Sequence, residues 1–152
     1  MAYKGSFRPK NPEKYIGKVD RIVFRSGWEL KLMKFLDSSS TVLKWSSEEV
    51  IIPYRSPIDN EIHRYFCDFY VERVSTSGEL QKKLIEVKPK AQTKLPVKKG
   101  RNTRKYVNEL KTYAVNQAKW IAADAYAKKR GWVFEKMTED ELKINQRNRK
   151  KK

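Results

Sequence analysis

The sequence predicts an α/β domain in which a mixed central sheet is flanked by helices. Three observations favour this class: an amphipathic helical segment near the N-terminus, several strand-like runs between residues 42 and 88, and a long helical segment before a final strand-like run. Antiparallel strands followed by a crossover helix and another strand are typical of mixed α/β domains. With 152 residues, 39% of them hydrophobic, the chain is long enough for one domain with a real core.

The first elements are a basic arm and a capped helix. Residues 1–20 are basic and contain Gly and Pro, so they are interpreted as an irregular N-terminal arm. Ser26 and Glu29 match the capping-box pattern and begin a helix that ends within residues 37–40. The apolar side chains of this helix that share one predicted stripe are Trp28, Leu32, Phe35 and Leu36.

Strand-like runs occupy most of the middle of the chain. Two of them, 42–45 and 49–54, precede a turn signal at 56–60, and the aromatic run 64–71 follows it. The two runs that flank the turn predict a hairpin. A further strand, 83–88, ends at Pro89.

A basic loop separates these strands from the C-terminal elements. The loop covers residues 90–100, and a helix is predicted from about Thr103 to Arg130, with Gly131 as its C-terminal cap. A strand at 132–137 and the start of a short helix follow. Residues 143–152 form a basic tail, which leaves 21–142 as a single domain.

The charge of the chain favours a polyanionic partner. Lys and Arg number 35 against 18 Asp and Glu, which gives a net charge of +17. Nucleic acid is the first expectation, because each basic side chain laid against a phosphate releases condensed counterions. An anionic membrane surface is the second, but no basic amphipathic helix with a clean apolar face stands out. With no apolar run long enough to span a bilayer and no signal-peptide segment, an intracellular soluble protein is expected.

The scarcity of cysteine and histidine restricts the metals that the chain can hold. Cys67 is the single cysteine and His63 the single histidine, so an intramolecular disulfide and a cysteine-based zinc site are excluded. Carboxylates and backbone oxygens must therefore hold any metal. That donor set indicates Mg²⁺ or Mn²⁺.

An acidic residue lies in the aromatic strand. Strand alternation places Phe66, Asp68 and Tyr70 on one face, with Cys67 on the other. Because both faces are otherwise apolar, an unpaired charge at Asp68 would be costly. The position therefore indicates a functional carboxylate.

A second acid and a lysine share a face of the next strand. Alternation puts Leu84, Glu86 and Lys88 on one side, so Asp68, Glu86 and Lys88 converge if the two strands are neighbours. Two adjacent carboxylates repel each other, and a divalent cation relieves this repulsion. Such a metal can bind a scissile phosphate and activate water, while the lysine orients the water or stabilises the transition state. This set predicts a phosphodiesterase.

Structural explanations of the same residues remain open at this point. Asp68 can pair with a basic neighbour such as Arg64, and Glu86 with Lys88 can form an ordinary exposed strand face. Short D–ExK patterns arise often by chance. The aromatic setting and the basic charge favour the catalytic interpretation.

Several motifs carry a family resemblance. Residues 66–71 and 84–89 resemble the PD-(D/E)xK nucleases, especially the TnsA-like transposon endonucleases. Nearly the whole chain apart from its tail is similar to the head completion nucleases of T-even-type phages. The segments that carry this similarity, in order, are Tyr3, 9–12, 25–29, 45–49, 63–66 and 112–120.

The resemblance implies a restriction-endonuclease-like fold, dependence on a divalent metal, and a role in finishing packaged DNA heads before tail attachment. It implies Asp68, Glu86 and Lys88 as the catalytic set and Glu29 as an additional acid beside the metal. Cys67 departs from the motif, which has proline before the aspartate. The proline of the motif is not a metal ligand. The presence of Cys67 in its place therefore weakens the match to the motif more than it affects the proposed chemistry.

Two further groups of residues are candidates for supporting roles. Gln117 lies on the apolar stripe of the long helix, where a satisfied core glutamine is the default and an active-site hydrogen bond is the alternative. Residues 88–105 contain eight basic residues and no acid, which favours a DNA-backbone clamp over a merely solvated loop. The clamp residues beyond the site itself are Lys90, Lys94, Lys98, Lys99, Arg101, Arg104 and Lys105.

The sequence thus predicts a Mg²⁺- or Mn²⁺-dependent DNA endonuclease that binds mainly the phosphate backbone. Phage capsid or portal proteins are further candidate partners, and the host cytoplasm and virion are the expected location. The alternatives are a non-catalytic, basic DNA-binding virion assembly protein and a junction-resolving enzyme.

Overall fold

A computed structural model describes residues 4–142 of the chain. Its strands and helices, in chain order, are β1 (Gly5–Ser6), β2 (Val23–Phe24), α1 (Gly27–Ser38), β3 (Val42–Ser47), β4 (Ile51–Arg55), β5 (Ile62–Phe66), β6 (Phe69–Val74), β7 (Leu80–Val87), α2 (Arg104–Lys129) and β8 (Val133–Met137). Short 3-10 turns cover Pro12–Lys14, Val19–Arg21 and Lys90–Thr93. The predicted basic tail, 143–152, lies outside the described residues.

The central sheet has four strands in the order β3-β6-β7-β8. β6 runs antiparallel to both β3 and β7, and β8 runs parallel to β7 after the crossover through α2. The mixed sheet with flanking helices is therefore confirmed. The predicted hairpin is also present, because β4 pairs with β5 in a separate two-stranded sheet.

Each face of the central sheet carries its own hydrophobic core. The first core lies on the α1 side and is centred on Trp45 and Phe69, both almost fully buried. The second core lies between the sheet, the β4–β5 hairpin and the C-terminal half of α2, around Leu84 and Trp120. Ala123, on the buried side of α2, leaves room for this close approach because its side chain is small.

Helix α1 begins as the capping pattern predicts, but the set of side chains that it buries differs from the predicted stripe. Ser26 is the N-cap, and its hydroxyl accepts a hydrogen bond from the Glu29 amide at 3.1 Å. Leu32 and Leu36 are buried as predicted. Phe35 is instead 53% exposed and Met33 is fully buried in its place, because the helix turns a different side of its apolar surface toward the sheet. The prediction that Phe35 lies in the core is wrong.

The aromatic run 64–71 is not one strand. It breaks after Phe66, so β5 belongs to the hairpin while β6 belongs to the central sheet. The predicted alternation fails across this break. Phe66 is exposed, whereas Tyr70 is buried in the second core with Cys67.

The N-terminal segment packs on the domain. Within residues 4–20, Phe7 and Tyr15 belong to the first core, and β1 pairs with β2. Basic residues with Gly and Pro indicate an irregular arm, and the segment is irregular apart from β1 and its 3-10 turns. Its aromatic side chains nevertheless fix it against Trp45, through ring contacts at 5.9 and 4.8 Å.

Helix α2 matches its prediction closely in length but is buried only in its second half. Thr103 caps its N-terminus, and Gly131 follows its end with a φ of +74°, a conformation that glycine adopts without strain. The buried residues are Asn116, Trp120, Ala123 and Ala127. Tyr106 and Tyr113, in the first half of the helix, are only half-buried, because this part of α2 extends past the sheet.

Within residues 4–142, no helix combines the length and the apolar character needed to cross a membrane.

Candidate active site

Asp68 lies in the break between β5 and β6. Phe69 pairs with Ile85 across β6 and β7, and both side chains belong to the first core. Because side chains alternate along paired strands, Asp68 and Glu86 lie on the opposite side of the sheet, toward α2. The Val87 amide donates a hydrogen bond of 2.8 Å to Asp68 Oδ2. This bond fixes the carboxylate at the end of β7.

Glu86 is held by partners on both of its carboxylate oxygens. It is only 5% exposed, so the interpretation as an ordinary exposed strand face is wrong. The Tyr65 hydroxyl donates a short hydrogen bond to Oε1. Lys88 Nζ lies 3.5 Å from Oε2. Asp68, Glu86 and Lys88 therefore lie together, as the strand alternation predicted.

The protein environment raises the pKa of both carboxyls. Burial, followed by the charge of Glu86, raises the pKa of Asp68 to about 8. Burial also raises the pKa of Glu86, although the Tyr65 hydrogen bond and the charge of Lys88 oppose that shift. Arg64 does not compensate Asp68, because its guanidinium lies over the Phe66 ring at 5.5 Å and forms no ion pair among the described residues. Lys88 forms an ion pair with Glu86, whereas Asp68 has no ion pair among the described residues.

These donors fit a divalent cation. Burial raises the pKa of both carboxyls, and a hard cation relieves the cost of holding two charged carboxylates in a buried place. Oxygen donors suit Mg²⁺ or Mn²⁺. In the described part of the chain, no group of three or more His, Cys, Asp or Glu side chains lies close enough together to hold a metal. The described residues therefore bring together two of the three predicted acids, Asp68 and Glu86, and do not bring Glu29 into one cluster with them.

Glu29 lies near the pair but is used by the helix cap. Its Oε1 accepts a hydrogen bond of 3.0 Å from the Arg25 amide, one residue before the Ser26 amide that the capping pattern indicates. Its charge still contributes to raising the pKa of Asp68. Glu29 therefore lies within electrostatic range of the site while its side chain stabilises α1, and its role as a metal ligand stays a prediction.

A Glu29→Gln variant separates these two roles. Glutamine keeps a side-chain oxygen for the Arg25 amide, so the cap and the melting temperature should change little. We expect cleavage to fall by about tenfold, because second-layer partners of a metal site typically contribute factors of 10–100. Melting curves and initial cleavage rates measure the two effects. Full activity in this variant would reduce Glu29 to a capping residue.

The other predicted residues have less defined positions. Gln117 is half-buried and forms no hydrogen bond with the described residues, so it is not the satisfied core glutamine of the default interpretation. His63 is exposed and its Nε2 lies 2.7 Å from Asp59 Oδ2, so its partner is not one of the two buried carboxylates. Cys67 is buried, and burial raises the pKa of its thiol to about 12, which agrees with an inert core residue.

The predicted clamp residues line the surface beside the site. Lys90 is engaged by Asp140, with an Nζ–Oδ2 distance of 3.0 Å. Lys98 is exposed. The clamp residues that border two neighbouring cavities along α2 are Lys94, Lys99, Arg101, Arg104 and Lys105.

Two residues near the carboxylates were not predicted from sequence. Tyr65 binds Glu86 directly, and Lys119 of α2 places its Nζ 5.6 Å from the Tyr65 ring. The charge of Lys119 also opposes the rise in the pKa of Glu86. The sequence did contain one indication that Lys119 is functional, because Lys119 lies in segment 112–120, which resembles the head completion nucleases. Tyr65 had the same kind of signal, since it lies in the family-like segment 63–66.

The fold and this pair of carboxylates define a nuclease of the restriction-endonuclease-like class. A family model described as the N-terminal domain of TnsA-like endonucleases matches residues 39–139, which include Asp68, Glu86 and Lys88. The chain belongs to the TnsA-like endonuclease family.

The chain is also similar to an individual protein over nearly its whole length. The head completion nuclease of Enterobacteria phage T4 is 40% identical over 147 residues, which cover 94% of this chain and 95% of that protein. The resemblance stated from the sequence motifs is therefore confirmed. No solved structure matches the chain.

Proposed function

We propose that this protein is a divalent-metal-dependent DNA endonuclease that acts in completing phage heads after DNA packaging. The observation that carries the proposal is the pair of buried carboxylates, Asp68 and Glu86, with Lys88 beside them. Membership of an endonuclease family and similarity to a head completion nuclease support it. Such a role places the protein in the host cytoplasm and the virion, with capsid or portal proteins as partners.

The side chains divide the work of hydrolysis among them. Asp68 and Glu86 would hold a Mg²⁺ or Mn²⁺ ion, and Glu29 would act on this pair through its charge from the start of α1. When bound, the metal neutralises charge on the scissile phosphate and favours ionisation of the attacking water. Tyr65 and the Val87 amide hold the two carboxylates in place. Lys88 donates hydrogen bonds to the attacking water or to a phosphate oxygen, where negative charge develops.

The direct test is incubation of the full chain with linear and branched DNA in Mg²⁺, Mn²⁺ or EDTA. We expect strand cleavage with either metal and none in EDTA. The Glu79→Gln variant is a control that should cleave like the wild type, because Glu79 is exposed and precedes β7, at the end of that strand away from Glu86. Binding without cleavage in both metals would favour the non-catalytic assembly protein. A strong preference for four-way junctions would favour the junction-resolving enzyme.

The basic stretch after β7 supports the choice of DNA as substrate. Its basic side chains from Lys90 onward are exposed, and several of them border the two cavities along the first half of α2. Phosphate contacts give affinity with little sequence preference, and their number sets the salt dependence of binding. A backbone clamp next to the site would hold any duplex for cleavage.

Neutralising part of the clamp gives a prediction about salt dependence. The logarithm of the DNA association constant falls as the logarithm of the salt concentration rises. We expect the double variant Lys98→Gln/Lys99→Gln to make this fall less steep by about 0.9 for each phosphate that the protein no longer neutralises. The double variant Lys34→Gln/Lys44→Gln removes the same charge from exposed positions on the opposite face of the sheet. Titrations of labelled duplex at several salt concentrations measure both. Equal slopes in the two variants would show that the stretch is only a solvated loop.

A further inference from the structure

A cavity of about 640 Å³ lies between the segment that follows β7 and the first half of α2. Ala91 and Gln92, within four residues of Lys88, form one wall, and Thr112, Tyr113 and Asn116 form the other. Its volume is in the range that holds a small organic ligand, which is about 300–1,000 Å³. One wall of the cavity thus follows Lys88 closely along the chain, and the lining residues do not include the two carboxylates.

The wall of this cavity contains a buried polar side chain without a partner. Asn116 is only 6% exposed, and its side-chain amide forms no hydrogen bond with any described residue. Asn116 lines the cavity wall, so its amide can form hydrogen bonds with a ligand that enters the cavity. An amide offers both a donor and an acceptor, which suits a planar group that carries both.

The remaining lining residues favour a nucleobase over a phosphate in the interior. Tyr113 supplies an aromatic ring on which a base can stack. Glu109 would repel a phosphate, but its carboxylate can accept a hydrogen bond from the exocyclic amine of a base. Arg104 and Lys105 border the same cavity and can hold the phosphates on either side of such a nucleotide.

We propose that this cavity takes an unpaired nucleotide of the DNA substrate, so that the enzyme prefers DNA with a single-stranded segment beside the cut. A base inside a duplex cannot enter the cavity without leaving its stack, and an unpaired base enters without that cost. The inference rests on the proposed nuclease function and names the substrate class of the same site. Recognition of the base lies with Asn116 and Tyr113, while cleavage lies with Asp68 and Glu86.

The test measures binding separately from cleavage. Fluorescence anisotropy in EDTA compares a blunt duplex with the same duplex carrying an unpaired extension of about five nucleotides, a length within the site sizes of single-strand-binding grooves. We expect the wild-type chain to bind the extended DNA at least about fivefold more tightly, and Tyr113→Ala to lose most of that difference. With 2-aminopurine in the extension, stacking on Tyr113 should quench its fluorescence in the wild-type complex and not in the variant.

A matched control and an independent variant keep the outcome interpretable. Val107→Ala truncates another half-exposed apolar side chain of the same helix outside the cavity and should keep both the preference and the quenching. Asn116→Ala should reduce the preference in the same direction as Tyr113→Ala. Equal affinity of the wild-type chain for both DNAs, or unchanged quenching in Tyr113→Ala, would overturn the inference. Metal-dependent cleavage of the blunt duplex would still stand in that case, so the two proposals fail separately.

Discussion

Replacing Asp68 by asparagine is expected to abolish cleavage and to stabilise the metal-free protein. Loss of a metal-holding carboxylate should lower the cleavage rate by at least about 100-fold. Stability should rise because the Asp68 carboxylate is buried next to Glu86, and asparagine removes that repulsion while keeping an oxygen for the Val87 amide. Each kcal/mol gained corresponds to about 2–4 °C in Tm for a domain of this size.

The stability effect of Asp68 depends on pH in a defined window. Its pKa is raised from 3.8 to about 8, so the folded state retains a proton that the unfolded state has lost between these values. The wild-type protein in EDTA should therefore lose stability as pH rises through that window, with the full penalty present above it. Melting curves at about pH 5 and about pH 8.5, near the two ends of the window, test this.

The pH dependence of the two variants distinguishes the electrostatic effect from a general one. The difference in Tm between D68N and wild type should be small at the acidic end of the window and larger at the alkaline end. Glu79→Gln should track the wild type throughout, because its carboxylate is exposed. A D68N protein less stable than wild type at the alkaline end would contradict the electrostatic account.

Replacing Lys88 by methionine is expected to remove cleavage while leaving metal binding largely intact. Methionine keeps much of the volume of the lysine stem but lacks its charge and hydrogen-bond donors. General acid–base and electrostatic contributions of single groups are commonly about 10²–10⁴-fold, so a loss of at least about 100-fold is expected. The affinity for Mn²⁺, measured by electron paramagnetic resonance, should change by less than about tenfold, because Lys88 is not a ligand.

Lys82→Met is the matched control for this experiment. Lys82 lies on the same strand and the same side as Glu86, but six residues before Lys88, and cross-strand pairing places it opposite Glu72. Its loss should leave cleavage close to the wild-type rate. If Lys88→Met instead abolished Mn²⁺ binding and cleavage together, Lys88 would act by supporting Glu86 rather than on the reacting groups.

Local patterns in the sequence were sufficient to predict most helices and strands and to predict that Asp68 and Glu86 lie close together. The cap at Ser26, the hairpin turn, the cap after Lys129 and the convergence of Asp68 with Glu86 all follow from short patterns that act over a few residues. Convergence was predictable because two neighbouring strands with a period of two allow only two faces.

Sequence patterns failed where two elements compete for the same run of residues. The segment 64–71 is strand-like throughout, and nothing local shows that it changes sheets after Phe66. Alternation therefore put Cys67 on the wrong face, since its side chain shares the second core with Tyr70, while still giving the correct side for Asp68. Lys119 and Tyr65 depend on how α2 and the hairpin approach the sheet, which is tertiary information that no periodicity contains.

Residues 104–115 of α2 contribute no buried side chain. The first half of the helix should therefore be less stable against local unwinding than the second half. Amide protons of its first turns should exchange with solvent by local unwinding, whereas those from Asn116 to Ala127 should exchange only when the domain opens as a whole. A ligand that binds to the first half of α2 must then supply the free energy needed to hold these turns in the helical conformation. Slowed hydrogen exchange confined to these turns would be a signature of substrate engagement that requires no turnover.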